Sequence, residues 1–145
     1  MFIRSERLFL RPVWPEDQDE VLALLAHAGE RGDRAAAQMR RAPDPRYPCF
    51  LVTLPGPHGA MIVGTLCLGR EGGEVRLSCV IAPAHRGAGF EIEAVRASLP
   101  LACLLGHRQV VVGTDGAMPE PAGKIDLGHD CGGGWHDDMP PLLAA

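Results

Sequence analysis

The chain has 145 residues, 46% hydrophobic side chains and a formal net charge of −4, which is enough sequence for one domain with a buried core. The negative charge argues against nucleic acid as the main partner, since phosphate backbones are bound by clustered Lys and Arg; it would instead favour a cationic amine. The apolar runs are strand-sized and the N-terminus MFIRSER lacks a signal-peptide core, so we expect no membrane span and a cytoplasmic protein.

The chain begins with a strand and two helices. Alternating side chains predict a first strand at Leu8–Val13, and Pro15 opens a helix that starts with two acidic residues. Gly29 and Gly32 are expected to break this helix, because glycine is a poor helix former. A second helix is predicted at Arg34–Arg41.

Three strands follow, at Phe50–Leu54, Met61–Leu68 and Val75–Ala82. The pair Gly72-Gly73 predicts a tight turn before the last of them. The remaining predicted elements are a helix at Ala88–Leu105 that Pro100 kinks or breaks at Leu99, a fifth strand at Gln109–Gly113, a short helix near Glu120–Leu127 and a soft tail at Asp137–Ala145.

The cysteines and the histidines near the end of the chain are candidates for disulfides or a metal. The cysteines are odd in number and four lie in apolar runs, so we expect buried thiols and no disulfide: Cys49, Cys67, Cys79, Cys103 and Cys131. The polar cluster at 129–138 has no spacing that fixes a metal geometry. No metal is expected, and the scattered His27, His58, His85 and His107 are interpreted as surface or turn residues.

The stretch Glu74–Ala97 indicates an anion site. Pro83 ends the apolar strand because it has no N–H to donate, and Gly87 and Gly89 permit backbone angles that other residues avoid. The N–H groups of residues 86–91 can then point into one concavity at the start of a helix, an arrangement that favours phosphate. The glycine turn by itself is equally compatible with a purely steric role.

The order strand, Pro, [RQ]-x-x-G-x-[GA], helix resembles the cofactor motif of the GNAT superfamily of N-acetyltransferases, and RGAGFE at 86–91 departs from it only at its last position. The segments at 5–25 and 106–115 resemble the branch that acetylates the N-termini of ribosomal proteins. The resemblance covers about residues 1–136. It implies a single domain with the α/β acyl-CoA N-acyltransferase fold, in which a mixed sheet of six to seven mostly antiparallel strands has helices on both faces and a splay between strands four and five.

The resemblance also implies a reaction, in which acetyl-CoA, as co-substrate, gives its acetyl group directly to a primary amine on a small molecule or a peptide N-terminus. A homodimer is compatible with this assignment. Carried over by position, the residues that contact the cofactor are Cys79, Val80, Ile81, Arg86, Gly87, Ala88, Gly89, Phe90 and Glu91.

The catalytic groups are left with alternatives. A main-chain N–H near Cys79 or Val80 is expected to stabilise the oxyanion, with Val80 taken as the candidate. Asp115 and Glu120 are the main candidates for the base that deprotonates the amine. Each also has an ordinary structural explanation, since Asp115 can cap a turn and Glu120 can start a helix. Glu74, Glu91 and His129 are further candidates.

Three residues depart from the family pattern. Glu91 stands where the family has Gly or Ala, so a carboxylate competes for the N–H groups unless it turns to solvent, and CoA binding is expected to be weakened. Met118 and Pro121 replace two polar contacts to the cofactor. The second hypothesis is therefore a degenerate, catalytically weak or inactive relative that acts as a CoA-binding or regulatory module.

Overall fold

The computed structural model describes residues 2–113 and 124–127, and these form one sheet flanked by helices. The elements, in chain order, are β1 (Ile3–Arg4), β2 (Phe9–Pro12), a 3₁₀ turn (Pro15–Asp17), α1 (Gln18–Ala26), α2 (Gly29–Met39), β3 (Cys49–Leu54), β4 (Met61–Glu71), β5 (Glu74–Ile81), a 3₁₀ turn (Pro83–His85), α3 (Phe90–Leu104), β6 (Gln109–Gly113) and β7 (Lys124–Asp126). The seven strands are adjacent in that same order.

The sheet is antiparallel except for one pair. β5 and β6 run parallel, because α3 carries the chain back across the sheet between them. Within the described residues, their register pairs Arg76–Ser78 with Val111–Gly113. The β4–β5 hairpin closes through Gly72 and Gly73, both with positive φ as a two-residue turn requires. The predicted mixed sheet of six to seven mostly antiparallel strands is thus confirmed.

The two faces of the sheet are covered by different helices. α3 packs on one face, where its residues Ala94, Val95 and Leu99 join side chains from the strands in the main core. α1 and α2 cover the other face, where Leu51 and Val80 from the sheet meet a smaller cluster from the two helices. Because each face is buried under helices, β5 has an almost continuous apolar end rather than a strict alternation.

The first helix ends before Gly29 and a second helix follows, as predicted, but the predicted start at Arg34 is wrong because Gly32 lies inside α2. α2 already begins at Gly29. A Cβ on Gly32 would lie 1.9 Å from the carbonyl oxygen of Leu25 in α1. The glycine therefore serves the close packing of two helices and does not end one.

Two further helix predictions need correction. α3 runs continuously from Phe90 to Leu104 with Pro100 inside it, so the predicted break at Leu99 is wrong. Lys124–Asp126 is a strand and not the end of a helix: it pairs with β6 and buries Ile125 between two exposed charged residues. The rest of that predicted helix, residues 120–123, lies outside the described part of the chain.

Two side chains near the end of α3 differ from expectation. Cys103 is disulfide-bonded, so the expectation of five thiols is wrong at this position. His107 is buried: its Nε2 lies 2.7 Å from the carbonyl oxygen of Arg46, and its ring stacks on Tyr47 at 5.3 Å. No helix within residues 2–113 and 124–127 has the length and apolarity to cross a bilayer.

Candidate active site

The loop between β5 and α3 has the conformation that its glycines predict. Gly87 and Gly89 have φ of 86° and 80°, and Gly89 is the residue that precedes the first turn of α3. The N–H groups of Gly87, Ala88 and Gly89 donate no hydrogen bond within the described part of the chain, and all three residues are exposed. The loop therefore offers several main-chain donors at the positive end of a 15-residue helix.

The two charged residues of the loop are placed differently from each other. Arg86 is exposed, but its Nε donates to the carbonyl oxygen of Ile81 at 3.2 Å and its own N–H points to Pro83 O at 3.4 Å. Glu91 is only 7% exposed, so its carboxylate does not turn out to solvent. Arg86 thus secures the loop to the end of β5, whereas Glu91 puts a buried acid in the first turn of α3.

Arg7, a residue the sequence reasoning did not single out, lies against this loop. Its Nη1 donates to the carbonyl oxygen of Ala88 at 2.9 Å, and its guanidinium lies 4.7 Å from the centre of the Phe90 ring. Its Nε and Glu93 Oε1 are 2.7 Å apart. Arg7 is 44% exposed on its side chain, so it supplies a second positive charge beside the open amides.

Glu93 is the acid that fixes Arg7 to α3. It accepts hydrogen bonds from Ser5 Oγ and, at 2.9 Å, from the N–H of Arg7. Burial opposes its ionisation, but the hydrogen bonds from Ser5 and Arg7 and the Arg7 charge together lower the pKa of Glu93. These contacts attach the turn between β1 and β2 to the helix that follows the glycine loop. The sequence alone did not indicate this role of Arg7, because a single arginine before a predicted strand is not a specific signal.

The main chain of β5 alternates between its two neighbours. Ala82 donates to Val63 of β4 at 2.8 Å, and in the antiparallel register Val80 lies opposite Thr65 two residues earlier. Val80 therefore directs its main-chain groups to β4, while Cys79 and Ile81 direct theirs to the β6 side. Of the two amides suggested from the sequence, that of Val80 faces β4 and that of Cys79 lies within the β5–β6 pairing at Ser78–Gly113, so Ile81 is the next residue whose N–H faces the β6 side.

On the opposite face, between α2 and the β4–β5 hairpin, lies a groove of about 380 Å³ that we call the arginine groove. Among the described residues that line it are five arginines and one acid, Glu71. The arginines are Arg31, Arg34, Arg41, Arg70 and Arg76. Ser78, Cys79 and Val80 line it as well, so the groove reaches the same part of β5.

A larger cavity of about 780 Å³ adjoins this groove and is mostly apolar. Trp14, 42% exposed, and Tyr47 are among its lining residues. Gln38 lies between the two hollows: its side chain covers Gly69 and donates to the carbonyl oxygen of Leu68. The two hollows share Gln38, Arg41, Gly69 and Arg70 as lining residues.

Asp17 fixes the entrance to this larger cavity. It accepts two hydrogen bonds from Arg11, at 2.7 and 2.9 Å, and one from the N–H of Trp14 at 2.9 Å. The Arg11 hydrogen bonds, more than the N–H of Trp14, lower the pKa of Asp17 against the effect of burial. Arg11 also stacks on Trp14 at 4.2 Å from the ring centre.

The other side chains considered for catalysis or metal binding give no further active-site group among the described residues. A hydrogen bond with Cys49, together with burial, raises the pKa of Cys67, so this thiol is unsuited to nucleophilic attack. No group of three metal-ligating side chains occurs within residues 2–113 and 124–127. Glu74 is exposed at the start of β5 and 2.9 Å from Lys124. Three candidate bases lie outside the described residues, namely Asp115, Glu120 and His129, and so do Met118 and Pro121.

Comparison with known proteins identifies the fold. No protein-family model matches the chain, and no curated protein matches it. Solved structures do, at low identity: a GNAT-family acetyltransferase from Bacillus anthracis (18% identity, TM-score 0.56, 77% of this chain and 72% of that one). A second is a spermidine N-acetyltransferase chimera from Vibrio cholerae and hSSAT (18%, 0.56, 74% and 69%). A third is the GNAT domain of S. lividans PAT (12%, 0.57, 72% and 70%). The chain has the acyl-CoA N-acyltransferase fold of the GNAT acetyltransferases.

Proposed function

We propose that this protein is an N-acetyltransferase that transfers acetyl from acetyl-CoA directly to a primary amine. The observation that carries the proposal is the loop at Gly87–Gly89, whose amides are exposed and donate no hydrogen bond within the described part of the chain. Such a loop at the start of a helix suits a diphosphate. The fold supports the proposal, since it is the fold of GNAT acetyltransferases.

The residues of the chain fit the donor molecule on this side. The loop amides and the exposed charge of Arg7 would bind its diphosphate, and acetyl-CoA would supply the acetyl group as an activated thioester. The N–H of Ile81, directed to the β6 side of β5 beyond the last described pair at Ser78, would donate to the thioester carbonyl oxygen as negative charge develops there. Comparable donors contribute roughly 2.7–4 kcal/mol to such reactions.

The amine attacks without a covalent intermediate on the protein in this scheme. The high pKa of the buried Cys67 thiol agrees with direct attack, because no activated cysteine nucleophile is provided there. Asp115 and Glu120 stay the proposed bases. We propose that the acceptor is a small molecule or a peptide N-terminus. We also propose that the protein itself is cytoplasmic, binds neither nucleic acid nor membranes, and can form a homodimer.

One observation favours the second candidate function, a CoA-binding or regulatory module with little turnover. Glu91 is buried in the first turn of α3, and a carboxylate there competes with phosphate for the positive end of the helix. If the Glu91 carboxylate is what limits the binding of acetyl-CoA, its replacement by alanine should strengthen that binding.

Calorimetric titration with acetyl-CoA tests the proposal. We expect micromolar binding that Glu91→Ala tightens, with Glu20→Ala, which removes an exposed acid from the first turn of α1, as a matched variant without that gain. Release of free thiol with a panel of amines then distinguishes the enzyme from the module. Absence of acetyl-CoA binding to both the wild type and Glu91→Ala would refute the proposal.

A further inference from the structure

The arginine groove has a local charge opposite to that of the whole chain. The formal net charge is −4, yet the described lining of the groove holds five arginines and a single acid. Two of the five are engaged by neighbours at the surface: Arg34 with Glu30 and Arg76 with Glu71, both at 3.3 Å. Such exposed pairs are weak, so these arginines can exchange their partners for a ligand.

Arg41 and Arg70 are the arginines of the groove best placed to bind an anion. Both are exposed, and neither side chain forms an ion pair or hydrogen bond within the described part of the chain. Both line the groove and the apolar cavity, as Gln38 and Gly69 do. Guanidinium groups bind carboxylate and phosphate oxygens in pairs and with defined geometry.

The position of the groove connects it with the proposed chemistry. Val80 and Cys79 line the groove, and they directly precede Ile81, whose N–H is proposed to face the thioester. The glycine loop is at the other end of this part of β5, on the side of α3. A molecule held by the arginines would therefore reach β5 from the face opposite the helix whose N-terminus binds the donor.

We infer that the acceptor of this enzyme is an anionic amine, one that carries carboxylate or phosphate groups a short distance from the amino group, and that the arginine groove binds those groups. This inference rests on the proposed transferase function. It replaces the expectation from net charge that a cationic amine is favoured, because the field at the site is set by the nearby arginines and not by the sum over the chain.

The groove would also help the amine to react. A bound ammonium ion surrounded by guanidinium groups is destabilised relative to the neutral amine, which lowers the pKa of the amino group. The neutral form is the one that attacks. The anionic groups of the acceptor offset the repulsion for binding, so an acceptor without them would bind poorly at the same site.

The test uses a short peptide with a free amino terminus, several glutamates and a C-terminal fluorescent label, with glutamine and lysine versions as comparison. Fluorescence anisotropy measures binding to the full chain, without acetyl-CoA, at low and moderate salt. We expect the glutamate peptide to bind and the lysine peptide not to. Free glutamate as a competitor, and as an acceptor in the thiol-release assay, distinguishes a small anionic amine from a peptide.

The variant pair Arg41→Gln/Arg70→Gln should weaken binding of the glutamate peptide roughly three- to tenfold. The matched pair Arg96→Gln/Arg108→Gln changes the net charge equally at exposed sites that line neither hollow and should leave binding unchanged. Reversal to Glu at both Arg41 and Arg70 should give binding of the lysine peptide.

Separate outcomes test this inference and the proposed function. If acetyl-CoA binds but the glutamate peptide binds no better than the glutamine peptide, the anionic acceptor is refuted and the transferase proposal stands. The inference also fails if the Arg96/Arg108 pair loses as much binding as the groove pair. If the peptide binds and acetyl-CoA does not, the transferase fails while the anion site stands. A loss of acetyl-CoA affinity in the groove pair would assign these arginines to the donor and overturn the inference.

Discussion

The two sides of β5 hold two surfaces that we propose bind anions, and these surfaces are built in different ways. On the α3 side, the glycine loop is one continuous segment, and its donors are main-chain amides at the start of a helix. On the α2 side, the arginine groove combines side chains from α2, the segment after it, and the β4–β5 hairpin. The first surface could be recognised in the sequence, whereas the second exists only once the chain is folded.

The difference indicates which property of each surface can vary. The loop depends on backbone conformation, so substitutions there act through φ and the helix terminus, and its ligand is fixed by the fold. The groove depends on long exposed side chains, so its ligand can change with single substitutions that leave the fold intact. We therefore expect donor binding and acceptor binding to respond to different variants.

The largest expected effect is a loss of stability where α2 packs closely on α1. Gly32→Ala should lower the free energy of unfolding by about 3 kcal/mol, because its Cβ would lie 1.9 Å from a backbone oxygen of α1 and the helices must separate. Urea denaturation measures this. Acetyl-CoA affinity of the folded fraction should be unaffected, since α3 packs on the other face. An unchanged midpoint would contradict the close contact.

Low pH should lower the free energy of unfolding through two carboxylates, Asp17 near α1 and Glu93 on α3. The pKa values of Asp17 and Glu93 are lowered in the folded protein, so their contribution is complete above the unfolded pKa near 4 and is lost as the pH falls through the folded values. Asp17→Asn should cost about 2 kcal/mol at pH 7 and much less at pH 3, because Asp17 is buried and accepts two hydrogen bonds from Arg11. Chemical denaturation at both pH values gives this difference.

Glu93→Gln provides the comparison for the α3 side. Its partner Arg7 is more exposed than Arg11, so we expect a smaller loss, roughly 1 kcal/mol at pH 7. If each variant lost as much free energy of unfolding at pH 3 as at pH 7, the ionic origin of these contacts would be contradicted.

Gly87→Ala should weaken acetyl-CoA binding about tenfold, equivalent to about 1.4 kcal/mol, since the φ of 86° is unfavourable for alanine and the loop amides must reorient. Gly59→Ala is the matched control: it has φ of 109° and, as at Gly87, nothing within 4 Å of an added Cβ. Both variants should lose similar stability, and only Gly87→Ala should lose affinity. Equal affinities in calorimetry would show that the loop does not bind the donor.

The smallest effect is expected at Thr65, which lies beside Val80 beneath the α1 and α2 layer. Its hydroxyl is buried and has no hydrogen-bond partner in the described part of the chain. Thr65→Val should therefore be neutral or stabilise the fold by up to about 1 kcal/mol. A thermal unfolding scan checks the sign; a clear destabilisation would indicate a partner for the hydroxyl, such as a bound water or ligand.

Much of the fold was predictable because its signals are local. The strand predicted at Val75–Ala82, the Gly72-Gly73 turn and the glycines at 87 and 89 each have a local signal, and all are confirmed, with the strand observed at Glu74–Ile81. Gly32 was misjudged because its reason is a contact with another helix. The strand at Lys124–Asp126 was missed because three residues are too few to show a period, and pairing with β6 decides their state.

The candidate site was predictable only where it is continuous in sequence. The motif at 86–91 gave the loop, but not that Glu91 would be buried or that Arg7 would lie beside it. The arginine groove draws on residues from position 31 to position 80, and neither its net charge nor its reach to β5 follows from any local pattern. For the same reason, the net charge of −4 gave no indication of the arginine-rich lining of the groove.

Hydrogen–deuterium exchange with saturating acetyl-CoA tests the central claim most directly, because it locates the donor on one side of β5. The account predicts that peptides covering residues 83–91 become protected, while those covering the exposed hairpin end of the arginine groove do not. Unchanged exchange at 83–91 in the saturated protein, or protection confined to the groove, would contradict it.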